Sequence, residues 1–518
     1  MEFLKKLLLV AGCACAALVF CGPAAANVSF GITEDTGALG EPTAFYDALN
    51  DLGMTENRIA ISWDPAHPTT IPAQDRLDVW VPQAAIHAVR VVFAVAPAHP
   101  RDITASPDRI GQFAAFLQQL ARTYPSVKDY VVGNEPNQPR FWQPQFSSNG
   151  AGASGAAYEP LLAASYDALK AVDPSVNVIG LGLSPRGNDN PAAKSNVSTS
   201  PIRFLHDFGV AYRASKRTKP LMDELGFHPY PNQNNDPPLK GYPWPKAGIP
   251  NLDRIKQAAW DAFNGTAQPV FAERGKAPPP HALKLDLDET GWQVAVPSSL
   301  QYLYTGKESV IPIDEGTQAQ YYSDIIRFVS CDTDIRSLSF FHLVDERDLD
   351  RWQSGLLRID GTKRPSYAAV KTAIAQTRGQ CALTPAGWLH TTTVTGGLVQ
   401  FGYLGARRST RNRLWRFRAA AQEDALYRAA VFRVASAKLS PRARNTVLRA
   451  VANPRSKPLL LGRGTVLAYK SKLIALPKKT LKRAGWYVYG IQLAAKMNPQ
   501  RTLRAVSRPF RVVRSARR

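Results

Sequence analysis

Two glutamates lie in distinctive strings that follow short apolar runs, and together they could form a catalytic pair of carboxyl groups. Glu135 lies in VVGNEPN and Glu289 lies in DLDETGW. One carboxyl of such a pair can protonate a departing oxygen while the other, ionised, attacks a carbon atom or activates water. Burial and mutual repulsion push the pKa values of a facing pair apart. The two residues are therefore candidates for cleaving a glycosidic bond, if the fold brings them together.

The elements that would position these glutamates alternate between strand and helix. Eight short β-branched runs, from VSFGIT to SLSFFHLVD, are separated or followed by eight helical patterns. Strict alternation predicts a parallel sheet, and eight such units predict a closed (β/α)8 TIM barrel, an α/β fold, over residues 27–380. The helical patterns cover residues 41–54, 76–88, 107–124, 158–172, 202–215, 252–263, 316–330 and 366–377.

Long links between strand and helix are expected on one face of this barrel. The links that follow Glu135, Tyr230 and Trp292 are each about 20 residues long, whereas the links from helix to strand are mostly short. The links from strand to helix lie at the carboxyl ends of the strands, where barrel active sites are built. Glu135 on the fourth strand and Glu289 on the seventh would face each other there. The long loops favour a deep groove and an endo-acting enzyme.

Further strings make the region 28–380 resemble the clan of retaining (β/α)8 glycoside hydrolases that includes families 5 and 39. Asn-Glu-Pro at 134–136 falls on strand four and Glu289 on strand seven, as in the clan. NRIAISW, with Arg58, resembles the strand-two motif of the clan, and GFHPY, with His228 and Tyr230, resembles its strand-six motif. The string GLLRIDGTKRPSYAAV resembles the familiar run into the last helix.

The resemblance implies a role for each of these residues. Glu289 would be the nucleophile, and Glu135 the general acid and then the general base. Asn134 would donate a hydrogen bond to the sugar 2-hydroxyl, and Arg58 would hold the nucleophile. His228 and Tyr230 would lie near Glu289. No metal ion or organic cofactor is implied.

Aromatic side chains near strand ends are candidates for stacking on sugar rings. Trp63, Trp292 and Trp352 lie at or after predicted strand ends, and indole faces suit the apolar faces of sugars. Each could equally belong to the core. The sequence departs from the clan at the end of strand eight, where FFHLVDERDLDRW has His342 in place of an expected tryptophan. Trp352 follows further along the chain.

The first 26 residues predict a secretory signal peptide. Lys5 and Lys6 precede an apolar run that is too short to span a membrane, and small residues at 24–26 form a cleavage site. A competing interpretation is a lipoprotein signal, VAGC, that ends at Cys13. Neither interpretation adds a transmembrane segment, so we expect a secreted or cell-envelope-associated protein.

Only two cysteines lie beyond the predicted signal. Cys331 follows the seventh predicted helix and Cys381 follows the eighth, and these neighbouring helices would end on the same face of the barrel. In an exported chain such a pair could form a disulfide bond. Two buried free thiols remain the alternative.

A second domain follows an aperiodic segment at 380–386. Alternating apolar stretches over residues 387–518 predict a smaller β-rich, sandwich-like domain. From Cys381 to the end the chain has 29 Lys+Arg and 2 Asp+Glu, whereas the whole chain of 518 residues has 64 and 41. A net charge of +27 attracts polyanions. For an exported chain the candidate partners are anionic cell-envelope polymers, acidic polysaccharide or lipid headgroups, and nucleic acid is not expected. The alternatives are a charge that only keeps the domain in solution and a domain that grips a charged substrate.

Three hypotheses therefore remain open. The first is a secreted retaining glycoside hydrolase that acts on a polysaccharide or oligosaccharide. The second is a non-catalytic carbohydrate-binding protein on the same barrel. The third is an adhesion or wall-anchoring protein whose function lies in the basic domain. The chain has 45% hydrophobic residues, which excludes a disordered polymer.

Overall fold

A computed structural model describes most of the chain. The predicted signal peptide, with Cys13, lies outside the described residues, and so does most of the predicted domain boundary at 380–386. The described residues are 28–34, 41–379, 381, 388–391, 393–394, 396–400, 408–410, 416–453, 455–456, 461–468, 470–475 and 483–513. No helix within these ranges is long and apolar enough to cross a membrane.

The first part of the chain forms a closed barrel of eight parallel strands, which confirms the predicted (β/α)8 fold. The strands are β1 (Ser29–Thr33), β2 (Glu56–Trp63), β3 (Arg90–Pro97), β4 (Asp129–Val132), β5 (Asn177–Leu183), β6 (Glu224–Phe227), β7 (Lys284–Thr290) and β8 (Ile335–Phe340). The helices are α1 (Pro42–Leu52), α2 (Gln74–Ile86), α3 (Asp108–Thr123), α4 (Ser154–Val172), α5 (Pro201–Ser215), α6 (Leu252–Phe263), α7 (Glu315–Val329) and α8 (Pro365–Thr377). Two short 3-10 helices, Ile249–Asn251 and Ser298–Leu303, lie in the long loops.

Closure of the barrel follows from pairing between its first and last strands. Ser29 pairs with Ser337 and Ile32 with Phe340, so β1 and β8 leave no free edge. The strands are short. They are also largely buried, because helices cover their outer face. The long loops after β4, β6 and β7 all leave the carboxyl ends of their strands, on the face where the sequence placed the candidate site.

Local signals set the ends of several helices. Ser200 accepts a hydrogen bond from the backbone nitrogen of Arg203 at the start of α5. Asp314 does the same for Thr317 at the start of α7. These side chains satisfy backbone donors that have no partner within the helix. They explain why these two helices begin within one residue of their predicted positions.

The second part of the chain is a β-rich domain with two sheets, as predicted. Its strands are β9 (Gly396–Gln400), β10 (Arg408–Thr410), β11 (Arg416–Ala421), β12 (Ala425–Val434), β13 (Leu461–Val466), β14 (Lys472–Ala475), β15 (Gly485–Ala495), β16 (Thr502–Val506) and β17 (Phe510–Val513). Within the described part of this domain, one sheet has six strands and the other has three. Phe417 of the small sheet packs on Tyr489 of the large sheet, with ring centroids 4.7 Å apart. This sandwich core is separate from the barrel core.

One helix in this domain is not predicted by the sequence. Helix α9 (Pro441–Ala452) packs on the large sheet through Val447 and Val451, the two residues that it buries. Its arginines obscure the apolar periodicity. The signal was present at its start, since Ser440 caps the helix and Pro441 occupies the first turn.

Cys331 and Cys381 form a disulfide bond, with Cα atoms 4.6 Å apart. The bond joins the segments that follow α7 and α8 and closes a loop of 50 residues. A cross-link of this kind stabilises a fold mainly by restricting the unfolded chain.

Removing the cross-link should destabilise the barrel. In a Cys331→Ser/Cys381→Ser variant we expect the free energy of unfolding to fall by about 2–4 kcal/mol. The measurement is urea unfolding followed by tryptophan fluorescence without reductant. Reductant should lower the midpoint of the wild type and leave that of the variant unchanged. Equal midpoints for the two proteins would contradict the prediction.

Candidate active site

Four strands bring the candidate residues together, three of them through their carboxyl ends. Arg58 lies on β2, Asn134 and Glu135 directly follow β4, His228 directly follows β6, and Glu289 lies near the end of β7. The chain turns sharply at Glu135, whose φ of 37° lies in the left-handed region. A non-glycine residue held there costs free energy, and such strain concentrates at functional sites.

Arg58 is the buried centre of one half of the site. It is 2% exposed. One Nη donates to Glu289 Oε1 at 2.8 Å, and the other donates to Asn134 Oδ1 at 3.2 Å. Its Nε lies 3.2 Å from Asp288 Oδ2. The rigid guanidinium therefore fixes two of the predicted residues relative to each other.

His228 forms the other half and links the two glutamates. It is fully buried. Its Nδ1 lies 3.1 Å from Glu135 Oε1 and 3.5 Å from Glu289 Oε2. Its Nε2 lies 3.2 Å from Asp288 Oδ1. Because both glutamate oxygens contact the same nitrogen, their separation cannot exceed those two distances combined. The predicted pair is thus a close pair.

Tyr230 completes the surroundings of Glu289. Its hydroxyl donates to Glu289 Oε2 at 3.1 Å. Each oxygen of Glu289 therefore accepts a hydrogen bond from a buried donor, Arg58 on one side and Tyr230 on the other. The orientation of this carboxylate is fixed, whereas Glu135 is held among the described residues by His228 alone.

The buried charges set the protonation states around the pair. Burial alone would lower the pKa of His228, but the negative charges of Glu289 and Asp288 raise it to about 10. Burial would raise the pKa of Asp288, yet His228 and Arg58 hold it below its ordinary value. Burial, followed by the charge of Glu289, raises the pKa of Tyr230 well above its ordinary value. At neutral pH His228 is an imidazolium, Asp288 a carboxylate and Tyr230 a neutral donor.

Asp288 belongs to the site, although the sequence did not predict it. It is fully buried between Arg58 and His228. The signal lay in the alternation of β7, in which Leu285 and Leu287 alternate with Asp286 and Asp288. In a barrel strand one of these sets faces the helices and the other faces the interior.

One predicted aromatic residue lies beside the carboxylates. The half-buried Trp352 packs against Tyr230, with ring centroids 4.7 Å apart, and meets Phe341 edge-on at 5.5 Å. Its neighbour Tyr230 contacts Glu289 directly. Trp352 therefore supplies an aromatic ring near the position where the strand-eight tryptophan was expected.

His342 lies at the end of β8 but is engaged elsewhere. It is buried, and its Nδ1 lies 2.8 Å from the carbonyl oxygen of Thr33 on β1. This contact turns the imidazole toward the neighbouring strand. It does not provide an open floor for a sugar ring.

Trp63 and Trp292 are core residues, which corrects their prediction as sugar platforms. Trp63 is 0% exposed and Trp292 is 1% exposed. The indole of Trp63 packs edge-on against Phe113, and the indole nitrogen of Trp292 donates to the carbonyl oxygen of Asp236 at 2.9 Å. Trp63 ends β2 and Trp292 lies two residues after β7, and side chains of the neighbouring helices α3 and α7 pack against them.

Across the ranges that the structure describes, no cluster of three or more His, Cys, Asp or Glu side chains has an arrangement suited to a metal ion. The polar groups of the site are instead paired with one another.

The histidine charge predicts a pH dependence of stability. The folded state keeps a proton on His228 up to pH about 10, whereas the unfolded chain releases it near 6.5. The free energy of unfolding should therefore fall as pH rises through that window. Urea unfolding of the wild type, His228→Gln and the matched control His99→Gln between pH 6 and 10 measures this slope. His99 is exposed.

We expect the slope to diminish in His228→Gln and to persist in His99→Gln. NMR of the wild-type imidazole provides a second readout that does not depend on the variant folding. A neutral His228 ring at pH 8 would contradict the charge assignment.

Comparisons with known proteins concern the fold. No protein-family model matches the chain, and no curated protein matches its sequence. A family 39 glycoside hydrolase from Bacteroides cellulosilyticus WH2 aligns over 79% of this chain and 73% of its own, with 14% identity and a TM-score of 0.48. A glucosidase from Croceicoccus marinus aligns over 87% of this chain and 92% of its own, with 13% identity and a TM-score of 0.44. An exo-β-1,4-mannosidase from Opitutaceae bacterium strain TAV5 aligns over 68% of this chain and 60% of its own, with 13% identity and a TM-score of 0.41. The closed order of the eight strands by itself establishes the (β/α)8 barrel of this chain.

Proposed function

We propose that this protein is a glycoside hydrolase that cleaves O-glycosidic bonds. The observation that carries the proposal is the close pair formed by Glu135 and Glu289, which contact the same nitrogen of His228 at the mouth of the barrel. A glycosidic bond is cleaved by two carboxyl groups that flank it, one as acid and one as nucleophile or base. Both glutamates are partly exposed, so a substrate could reach them.

The surroundings of the two carboxyls support different roles. Glu289 is held by Arg58 and Tyr230 through both of its oxygens, which suits an oriented nucleophile. Glu135 has a smaller set of contacts, which suits a group that gives up and regains a proton. In the first step Glu289 bonds to the anomeric carbon as the glycosidic bond breaks. The proton of Glu135 passes to the departing oxygen.

The second step reverses these proton movements. Glu135 takes a proton from water, the water oxygen bonds to the anomeric carbon, and the bond to Glu289 breaks. Asn134 supports substrate positioning in both steps. Its amide oxygen accepts from Arg58, so its NH2 group remains to donate to the sugar 2-hydroxyl. The ring of Trp352 offers a face on which the sugar can stack.

We further propose that the reaction retains the anomeric configuration. Retaining enzymes place their carboxyls about 5–5.5 Å apart, whereas inverting enzymes separate them by about 6.5–9.5 Å to admit water. The shared contact with His228 supports the shorter spacing.

An extended substrate and endo-action are the finer part of the proposal. The loops after β4 and β5 line an open groove of about 760 Å³ on the carboxyl face of the barrel. Its lining is rich in amide and hydroxyl groups, including Gln143, Ser147, Asn149 and Asn196. Such groups suit the hydroxyls of a sugar chain beyond the cleaved bond.

Export to the cell envelope or the exterior is proposed on two grounds. The first is the signal-like sequence at residues 1–26. The second is the Cys331–Cys381 disulfide, since disulfides persist in oxidising compartments. The basic domain would then meet anionic envelope polymers, to which its charge attracts it.

Hydrolysis should depend on both glutamates. We expect Glu289→Gln and Glu135→Gln to lower kcat on a cleaved polysaccharide by a factor on the order of 10² or more. The matched control Glu41→Gln alters an exposed glutamate before α1 and should leave the rate within about twofold. The measurement is release of reducing ends from xylans, mannans, glucans and acidic polysaccharides. Folded wild type that releases nothing would favour the alternative of a non-catalytic carbohydrate-binding protein.

The stereochemical course provides a separate test. Proton NMR during the first minutes of hydrolysis should show a product with the anomeric configuration of the substrate, before mutarotation mixes the two forms. A covalent intermediate on Glu289 explains this outcome, because two displacements restore the configuration. A product of the opposite configuration would contradict the role of Glu289 as nucleophile.

A further inference from the structure

The large sheet of the second domain carries a row of basic side chains. Arg463 on β13 pairs with Arg428 on β12, and Arg428 pairs with Gln492 on β15. Gln492 in turn pairs with Arg504 on β16. Directly paired residues share one face of a sheet, and neighbouring strands lie about 4.8 Å apart. These four residues, here called the arginine row, therefore run straight across four strands.

The arginine row lies on the open part of its face. Arg463 and Arg504 are exposed, and Arg428 and Gln492 are half-buried. Residues adjacent along the strands, such as Ala429 and Ile491, are buried in the sandwich core on the opposite face. Helix α9 covers the sheet beside the row, where Val447 and Val451 pack near Gly490. The row thus forms a flat, accessible strip next to a helix.

Among the residues that the structure describes, no Asp or Glu side chain pairs with an arginine of this strip. Residues 425–518 contain no Asp or Glu. The acidic residues just before them are engaged, because Glu423 pairs with Arg501 at 2.6 Å and Asp424 accepts from the backbone nitrogen of Ala468 at 2.9 Å. The exposed face of α9 adds Arg442, Arg444 and Arg449 beside the row. The charge of the strip therefore has no counterpart within this domain.

The arrangement of the arginine row destabilises the folded domain. Arg428 and Arg463 lie directly opposite each other, and like charges in that position are destabilising. Burial, and then the charge of Arg463, lowers the pKa of Arg428. The Nε of Arg428 is buried and has no hydrogen-bond partner among the described residues, while one Nη donates to Ser456 Oγ at 3.2 Å. An anion on the strip would relieve the repulsion and satisfy free guanidinium donors.

We propose that the arginine row binds an acidic polysaccharide that carries carboxylate groups on successive sugar units. An open row of guanidinium groups matches a chain with repeated charges better than it matches a single ion, which a closed pocket would hold. Guanidinium pairs with carboxylate through two parallel hydrogen bonds. The strip has no aromatic side chain in its row, so it lacks the stacking groups with which proteins bind single-stranded nucleic acid.

This inference rests on the proposed function in one respect: the ligand is taken to be a sugar polymer because the barrel is proposed to cleave one. A barrel that cleaves glycosidic bonds and a basic strip on the same chain would act on one polymer, with the strip keeping the substrate bound to the protein. Loss of the strip should then raise KM for the acidic polymer and leave kcat and the hydrolysis of small glycosides unchanged.

The test compares two triple variants of the full chain. Arg428→Gln/Arg463→Gln/Arg504→Gln removes the row, and Lys438→Gln/Lys470→Gln/Lys496→Gln removes the same charge from exposed positions elsewhere in the domain. The probe is polygalacturonate, and its fully methyl-esterified form is the control with the same backbone and no charge. Affinity is measured by titration calorimetry at two salt concentrations, after circular dichroism has established folding.

We expect the row variant to bind polygalacturonate at least about tenfold more weakly than the wild type, the loss of one or two charge-assisted hydrogen bonds. The lysine variant should bind within about threefold of the wild type. Arg428→Lys/Arg463→Lys/Arg504→Lys should be intermediate, because lysine keeps the charge but not the paired donors.

Other outcomes would overturn the proposal. Equal losses of affinity in the two glutamine variants would show that binding depends on net charge alone and not on the arginine row. Equal wild-type binding to the esterified polymer would show that carboxylates are not recognised, and tighter binding to single-stranded DNA of equal charge would identify a different class of partner. The test is independent of hydrolysis, because the strip can bind in a protein that cleaves nothing, and cleavage without binding would refute the strip alone.

Discussion

The site depends on one physical constraint, which is that charges buried at the end of a barrel must be paired. Arg58, His228 and Asp288 are almost completely buried. Removing such ions from water costs several kcal/mol each unless close partners offset the loss. Each of them meets an opposite charge within about 3.2 Å. The two glutamates complete this network. The need to pair the buried charges therefore also sets the positions of Glu135 and Glu289.

The barrel supplies the rigidity that such pairing needs. Arg58, Asp288 and Glu289 lie on strands and His228 directly follows one, and the strands are fixed by pairing on both sides. A second ionic layer lies inside the barrel toward the other ends of the strands, where Arg90 and Arg336 both contact Asp129. Burial and then the charge of Glu56 raise the pKa of nearby Asp286 well above its ordinary value. Apolar helix packing outside and paired charges inside thus hold the strands together.

The second domain is joined to the barrel by specific contacts. Arg501 pairs with Asp261 of α6 at 3.2 Å and with Glu423 of its own domain at 2.6 Å. His390 stacks on Trp260 with ring centroids 4.1 Å apart. These contacts attach a domain of strong positive charge to a barrel of nearly balanced charge.

The sequence by itself determined the barrel and placed its helices to within a few residues, because strand–helix alternation is a local pattern. Strings such as NEP and ETGW, which are also local, marked the two glutamates as candidates. The sequence also identified Arg58, His228 and Tyr230 as neighbours of the pair. Only the tertiary structure decided that Asp288 joins Arg58 to His228, that Trp63 and Trp292 are buried while Trp352 stays accessible, and that three arginines distant in sequence form one row. These facts depend on which side chains meet across strands and on what covers them. Sequence spacing does not encode such contacts, because they arise from closure of the barrel and from the register of the sheet.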